Sequence, residues 1–291
     1  MDSYALLLQK TGSAKYGDAI EKIFYNAAQG ARDPIHSCIA YLKTDNSFEM
    51  MGTKNGEVEA DRKQTRYKYS PAHQDVAVCC NPNAGRISPC FVQNSWMKES
   101  ENILVATLLL PNILETTIGD NKISIENETE YPYSNYFNFK IKLEKPALLT
   151  IKIRKPNWVK SIDTPENFVV DNEYIIVKRE FKSIDYIRIN LKTEVEIKKD
   201  NNKHTYFTYG PLVYAKPIEA EEIKGKTYKS NFSDFNYKPK AQVRYSAVDN
   251  ASAVFVSGMI ETKLKNEQTN NIEKVQLIPI GRTILRQVTF E

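Results

Sequence analysis

After residue 100 the chain alternates. "ILVATLLLP", "ETTIGDNKISIEN", "YFNFKIKL", "ALLTIKIRKP", "EYIIVKREF" and "DYIRINLK" either place an apolar residue at every second position or run apolar for a strand's length. Period two is the pattern of a strand with one face in a core. Punctuation falls where strands must turn, at Gly119-Asp120, at Glu144-Lys145-Pro146 and at Asp171-Asn172. Strand-length segments at short, regular intervals predict an antiparallel β-sandwich.

The residues before 100 follow a helical period instead. "DSYALLLQK" and "SAKYGDAIEKIFYNAAQ" predict two helices, with Asp2 or Ser3 and then Ser13 as caps and a break at Thr11-Gly12. The second helix puts Tyr16, Ile20, Ile23, Phe24 and Ala27 on one stripe. One further helix is predicted after Asn83, with Ile87, Phe91 and Val92. Two short helices make a hairpin and not a core, so the helical part reads as incomplete. Beyond the sandwich, the poorly patterned "EIKKDNNKH" precedes the strand-like "TYFTYGPLVYAKPI". A polar, linker-like run follows over 219–240, and then strand-like "SAVFVSGMI" and "EKVQLIPI". The expected division is a helical part over 1–98, a β-sandwich of jelly-roll type over 99–203 and a second β domain over 204–291, its last strand returning to the first sandwich.

Composition narrows the function classes. With 41% hydrophobic and 26% charged residues the chain is an ordinary globular one. Its net charge of +4 is spread along the sequence, so charge selects neither nucleic acid nor membrane as a partner. "RYKYSPAH" mixes basic and aromatic residues but is short and isolated. No apolar run approaches the roughly 20 residues that span a bilayer, and "MDSYALLLQKTG" lacks the regions of a signal peptide. The expectation is a soluble chain whose compartment stays open, the cytoplasm or, if an upstream segment supplies a signal, the periplasm or exterior.

Four cysteines, at 38, 79, 80 and 90, make no disulfide framework for 291 residues. Two of them are adjacent, in "DVAVCCNPNAGR". Neighbouring thiolates can occupy two corners of a tetrahedron around Zn²⁺, and the thiolate is also the form of cysteine that attacks carbon. Cys79 and Cys80 are therefore candidates for metal ligand, nucleophile or both. An apolar segment "VAVCC" entering a core would account for the same letters.

The segment has the form Cys-Cys-x-Pro-Asn-x-x-Arg, and it resembles the cysteine-pair motif of glycoside hydrolase family 127, the β-L-arabinofuranosidase group. Other segments resemble that family in the same order: "TGSAKYGDAIEKIFYNAAQGAR" its helix pair, "LTIKIRKPNW" a sandwich strand, "YGPLVYA" a later strand and "VQLIPIGRTILR" its C-terminal end. The resemblance implies a zinc-dependent retaining glycosidase of L-arabinofuranosides or related plant glycans. The implied fold is mixed and mainly β, an (α/α)6 barrel followed by antiparallel β-sandwich domains, with 1–98 the C-terminal remnant of the barrel. By the same resemblance Cys79 is nucleophile and zinc ligand, Cys80 is a second zinc ligand, Pro82 and Asn83 start the following helix, and Arg86 orients or packs. The family's remaining ligands, a glutamate and a cysteine two positions apart, and its acid/base glutamate lie upstream of the helix pair. The resemblance thus implies the C-terminal part of an enzyme, inactive alone and associating with a missing N-terminal part.

Other residues carry weaker readings. Tyr41 in "CIAYLKTD" stands near a sugar-facing tyrosine of the family, and tyrosines in strands also simply pack. His73 lies six residues before Cys79 and Asp75 four before it, close enough for a loop to bring either towards a metal or a proton, and His73 stands with Tyr41 as a candidate sugar-facing, substrate-binding residue. The ordinary readings are a surface-loop histidine and a turn-capping aspartate. His36 and Cys38 form His-x-Cys, able to chelate or equally a short buried strand; Cys90 reads as core. Trp96 and Trp158 offer rings for sugar stacking or for rim packing. Three functions follow: the C-terminal portion of a zinc glycosidase, a non-catalytic carbohydrate-binding sandwich module, or a metal-free hydrolase with Cys79 as nucleophile and His73 as base.

Overall fold

The computed structural model describes residues 1–58, 65–76, 78–171, 173–249 and 251–291, and it is mainly β. The chain gathers into two compact units that interleave in sequence, 1–24 with 87–194 and 25–86 with 195–291. The expected boundaries at 98/99 and 203/204 are therefore not where the chain groups. The reason lies in the partners of the first hundred residues. Their opening helices pack on the predicted sandwich, while the stretch after them contributes strands to a different sheet.

The first unit holds the predicted sandwich. One five-stranded sheet has the order Val169–Asp171, Tyr174–Phe181, Ala147–Arg154, Ile103–Ala106, Trp96–Ser100; the other runs Asn112–Ile118, Asn121–Glu128, Tyr136–Leu143, Ile184–Lys192, Ser161–Asp163. Pairing is antiparallel except between Ile103–Ala106 and Ala147–Arg154, which run parallel. Alternation does what it predicts: Leu149, Ile151, Ile153, Ile175 and Val177 of one sheet and Ile125, Phe137, Phe139, Ile141, Ile187 and Ile189 of the other are buried. Trp96 meets Phe139 edge-on at 6.1 Å between ring centroids, joining the two sheets. Gly119, with φ 55°, closes the hairpin at Gly119-Asp120. The turn at Glu144-Lys145-Pro146 instead carries the chain from one sheet to the other. Asp171 pairs with Tyr174 across the last predicted turn; Asn172 lies outside the described residues.

Helix α1 (Asp2–Thr11) ends as expected, at Gly12 in the left-handed region, whose N–H bonds back to Leu8 O at 2.8 Å. Its cap position is Met1 and no side chain caps it. Helix α2 (Ala14–Lys22) has Ser13 at its cap position, but the group that receives the helix N-terminus is Glu173. That carboxylate accepts Ala14 N–H at 2.9 Å and Ser13 Oγ–H at 3.1 Å, placing negative charge where the helix dipole favours it. Continuing α2, Ile23–Ala28 form a π-helical turn. The wider turn shifts the buried stripe. Tyr25 and Asn26 are buried in place of Ala27, which is exposed.

The same helix buries a charge that the apolar stripe concealed. Arg154, from a sandwich strand, is 0% exposed and pairs with Asp18 and Glu21. Its Nε–H donates to Thr107 O at 2.6 Å. Glu21 also accepts Leu109 N–H at 2.7 Å and the Tyr131 hydroxyl at 2.7 Å. A buried arginine is tolerable only with this degree of pairing.

In the second unit an extended sheet has the order Val195–Lys199, Thr205–Tyr209, Leu212–Ile218, Ile272–Pro279, Met259–Asn266, Tyr245–Ala247. A four-stranded sheet follows the order Ile39–Ala40, Tyr69–Ser70, Ser233–Pro239, Ala220–Thr227. Two expectations are corrected here. The run 219–240 is no linker: Ala220–Thr227 and Ser233–Pro239 form a hairpin. It reads as polar because its first strand is a sheet edge, where charged side chains blunt unwanted pairing, and because Ser233 and Asp234 are buried polar residues. The last strand, Leu285–Gln287, does not return to the first sandwich but pairs with Leu212–Ile218, Lys216 opposite Gln287. Leu285 is the apolar residue responsible, buried in a cluster with Cys38, Met50, Tyr69 and Tyr237.

Candidate functional site

Helix α3 (Cys80–Gln93) opens on the cysteine pair. Cys79 occupies the cap position, its carbonyl accepting Asn83 N–H at 3.2 Å. Pro82 falls in the first turn, where a missing N–H leaves no bond unmade. Pro89 lies inside the same helix. Phe91 of the predicted stripe is buried, whereas Val92 is exposed. Cys79 is exposed and Cys80 half-buried, so the pair is presented at the surface and does not enter a core. Ala77 of "VAVCC" lies outside the described residues. Burial, then the hydrogen bond and charge of Cys79, push the Cys80 thiol up. One thiol thus opposes ionisation of its neighbour unless a cation compensates.

The loop leading to the pair is tied down by a residue not singled out in the sequence. The Asn81 amide donates to Pro71 O at 2.6 Å and to Ser70 O at 3.3 Å. Ser70 in turn accepts His73 N–H at 2.9 Å and Ala72 N–H at 3.1 Å through its hydroxyl. No local signal marks it, because the Ser70-Pro71 turn it reaches lies ten residues or more upstream, and only the fold brings the two together.

His73 is a correction: it is no surface-loop histidine but fully buried. Its Nε2 lies 2.8 Å from Ile39 O, which makes that nitrogen the donor. Nδ1 keeps its lone pair and, although buried, has no hydrogen-bond partner among the described residues. Burial holds the imidazole below its ordinary pKa, and Lys68 acts in the same direction. Tyr41 packs edge-on to this ring at 5.7 Å, so the two expected sugar-facing residues do adjoin each other. Asp75 pairs with Lys68 at 2.7 Å, and Lys68 also reaches Asp234 at 2.9 Å. Burial would raise Asp75; the Lys68 ammonium outweighs it and holds the carboxyl below its usual range.

His36 and Cys38 take separate partners. His36 pairs with Glu222 at 2.8 Å and stacks on Phe235, while the buried Cys38 thiol faces Asp33 at 3.8 Å and is pushed far up by burial and by that carboxylate. Cys90 is half-buried, its Sγ 3.1 Å from Asp2. Trp158 is buried against Tyr131, which together with the Trp96–Phe139 contact makes both tryptophans packing residues. In "RYKYSPAH", Tyr67 and Tyr69 are core and Lys68 is doubly paired.

A zinc ion needs about four ligands in a structural site and about three protein ligands in a catalytic one. The donor set fits only in part: Cys79 and Cys80 offer two soft ligands side by side, and among the described residues no group of three His, Cys, Asp or Glu comes together to hold a metal.

A mainly antiparallel sandwich joined to helices, with a surface pair of vicinal thiols opening one of them, defines a narrow class of architecture. Residues 103–193, which span most of the sandwich, match the family described as Beta-L-arabinofuranosidase, GH127 middle domain. Solved structures extend the likeness over almost the whole chain. A GH127 β-L-arabinofuranosidase from Geobacillus stearothermophilus T6 superposes with a TM-score of 0.65 at 18% identity, over 97% of this chain and 46% of that one. A second GH127 β-arabinofuranosidase gives 0.65 at 17% identity, over 99% and 47%, and a protein described as a glycoside hydrolase gives 0.65 at 19%, over 98% and 49%. These likenesses show the fold, and the chain spans about half the length of each of those proteins. No curated protein sequence matches the chain. The resemblance to glycoside hydrolase family 127 read from the sequence is borne out.

Proposed function

We propose that this chain is the C-terminal portion of a zinc-dependent retaining glycoside hydrolase acting on L-arabinofuranosides or related plant glycans. One observation carries the reading: the vicinal thiols of Cys79 and Cys80 are presented to solvent at the start of α3, in a chain whose sandwich matches the GH127 middle domain. In this reading Cys79 and Cys80 hold two corners of a zinc site, and groups of an upstream, N-terminal part hold the others. Bound zinc would keep the thiols ionised near neutral pH.

The Cys79 thiolate attacks the anomeric carbon; the C–S bond forms as the glycosidic C–O bond breaks, and the departing oxygen takes a proton from an acid. Water, giving a proton to that same group, then attacks the same carbon; the C–O bond forms as the C–S bond breaks, sulfur leaves as thiolate, and the configuration is retained. Asn81 holds the loop that presents the nucleophile. Tyr41, held edge-on against the buried His73 ring, supplies a sugar-facing wall. The acid/base group comes from the N-terminal part with which this chain associates, so the chain alone is inactive.

The test is hydrolysis of an aryl L-arabinofuranoside by the chain alone and by the chain combined with the polypeptide encoded upstream. Turnover only in combination, loss of it in Cys79→Ser, and bound zinc that disappears in Cys80→Ala are the expected results. Full turnover in the combined Cys79→Ser protein would overturn the reading.

A further inference from the structure

One concavity, lined entirely by residues of the first unit, has no part in the proposed chemistry. It is a cleft of about 690 Å³ in the first unit, between the C-terminal end of α1 and one face of the first sheet. Ligand sites usually fall between roughly 300 and 1,000 Å³. The register builds its floor: Met97 lies opposite Val105, and Val105 opposite Lys152, so the three share a face across three strands. Tyr174 adds an aromatic side chain, and Leu8 and Gln9 of α1 form the wall.

Lys98, Lys152 and Glu99 are the charged residues of the lining. Lys152 pairs with Glu99 at 2.6 Å, and Lys98 with Glu101, outside the lining, at 3.7 Å. Each ammonium thus has a carboxylate partner, which leaves little charge to attract a phosphate or a carboxylate. A paired ammonium and carboxylate instead present a donor beside an acceptor, which is what adjacent hydroxyl groups of a sugar require. The apolar floor suits the C–H face of the same molecule. The Tyr174 hydroxyl is anchored to Gly12 O at 2.7 Å, which joins the end of α1 to the sheet and holds the cleft's shape.

We propose that this cleft binds a short neutral oligosaccharide through the Lys152–Glu99 pair, as an accessory site separate from Cys79. Only the choice of a pentose probe rests on the proposed function. A bound glycan chain would be held by the sandwich while another of its residues is cleaved elsewhere.

Titration calorimetry of the full chain with arabinotriose and, as an anionic comparator, trigalacturonate tests it. Saturable binding of arabinotriose is expected, at least tenfold tighter than that of trigalacturonate. Lys152→Met, which keeps the aliphatic stem, and Glu99→Gln, at a half-exposed position, should each weaken it at least tenfold with an unchanged melting temperature. If Lys152→Met fails to fold, Glu99→Gln decides alone. Cys79→Ser should bind as the parent does. Absence of saturable binding, or equal affinity in the folded cleft variants, overturns the proposal. Binding lost in Cys79→Ser but kept in the cleft variants would overturn it too, while leaving the cysteine site standing.

Discussion

A methyl group placed on Gly17 would lie 2.6 Å from Cδ of Arg154. The arginine crosses helix α2 directly over the glycine on its way to Asp18 and Glu21, so the absence of a side chain at 17 is a condition of the buried ion cluster. Gly17 has no positive φ to require glycine; the close approach alone does.

Gly17→Ala should therefore destabilise the chain as overpacking does, by about 1–3 kcal/mol, even though alanine is the better helix former. Urea denaturation measures it. A stability equal to the parent's would show that the arginine can step aside without loss.

Removing the arginine itself should cost more. Arg154→Met leaves the buried Glu21 and the half-buried Asp18 without their cation, and breaking a buried pair typically costs about 3–5 kcal/mol. Burial already raises the Asp18 carboxyl against the pull of Arg154, so without that arginine it should protonate more readily. The deficit of the variant should shrink when unfolding is repeated at acidic pH, and a deficit independent of pH would contradict the assignment.

Asn81→Ala should loosen the approach to the cysteine pair. A neutral hydrogen bond contributes about 0.5–1.5 kcal/mol net, so the loss in global stability should be of that order. The more telling readout is alkylation by iodoacetamide: Cys80 should react faster in the variant, and Cys38, buried against Asp33, should stay slow in both proteins.

His73 makes a pH dependence of definite sign. Its folded pKa lies below the ordinary histidine value of about 6.5, so as pH falls through that value the unfolded chain binds a proton that the folded chain refuses. Stability contributed through this residue is level above about pH 6.5 and declines below it. Asp75, held down by Lys68, adds its own loss only at lower pH, near and below the ordinary carboxylate range. Comparing urea midpoints of the parent and His73→Gln between neutral and mildly acidic pH isolates the histidine. The parent should lose more stability than the variant over that interval, and parallel curves would refute the assignment.

The cysteine segment was legible because its chemistry is local: two thiols, a proline in the first helical turn and an asparagine after it stand within a few residues of each other. Contiguity likewise made the sandwich strands legible. A strand with one buried face writes its period into consecutive residues, and Tyr136–Leu143 begins and ends where the alternation does. The break at Gly12 and the turn at Gly119 were local for the same reason, since a positive φ is a property of single residues.

What sequence alone determined about this protein is thus its elements and its candidate nucleophile. Tertiary structure decided which polar residues lie inside: Arg154 and Glu21 are ordinary surface letters until a partner well over a hundred residues away neutralises them. It also decided that the polar run 219–240 is a hairpin, that His73 is buried, and that the last strand joins Leu212–Ile218. Each of these depends on a pairing between distant segments, and the free energy of such a pairing belongs to both segments at once and is written in neither.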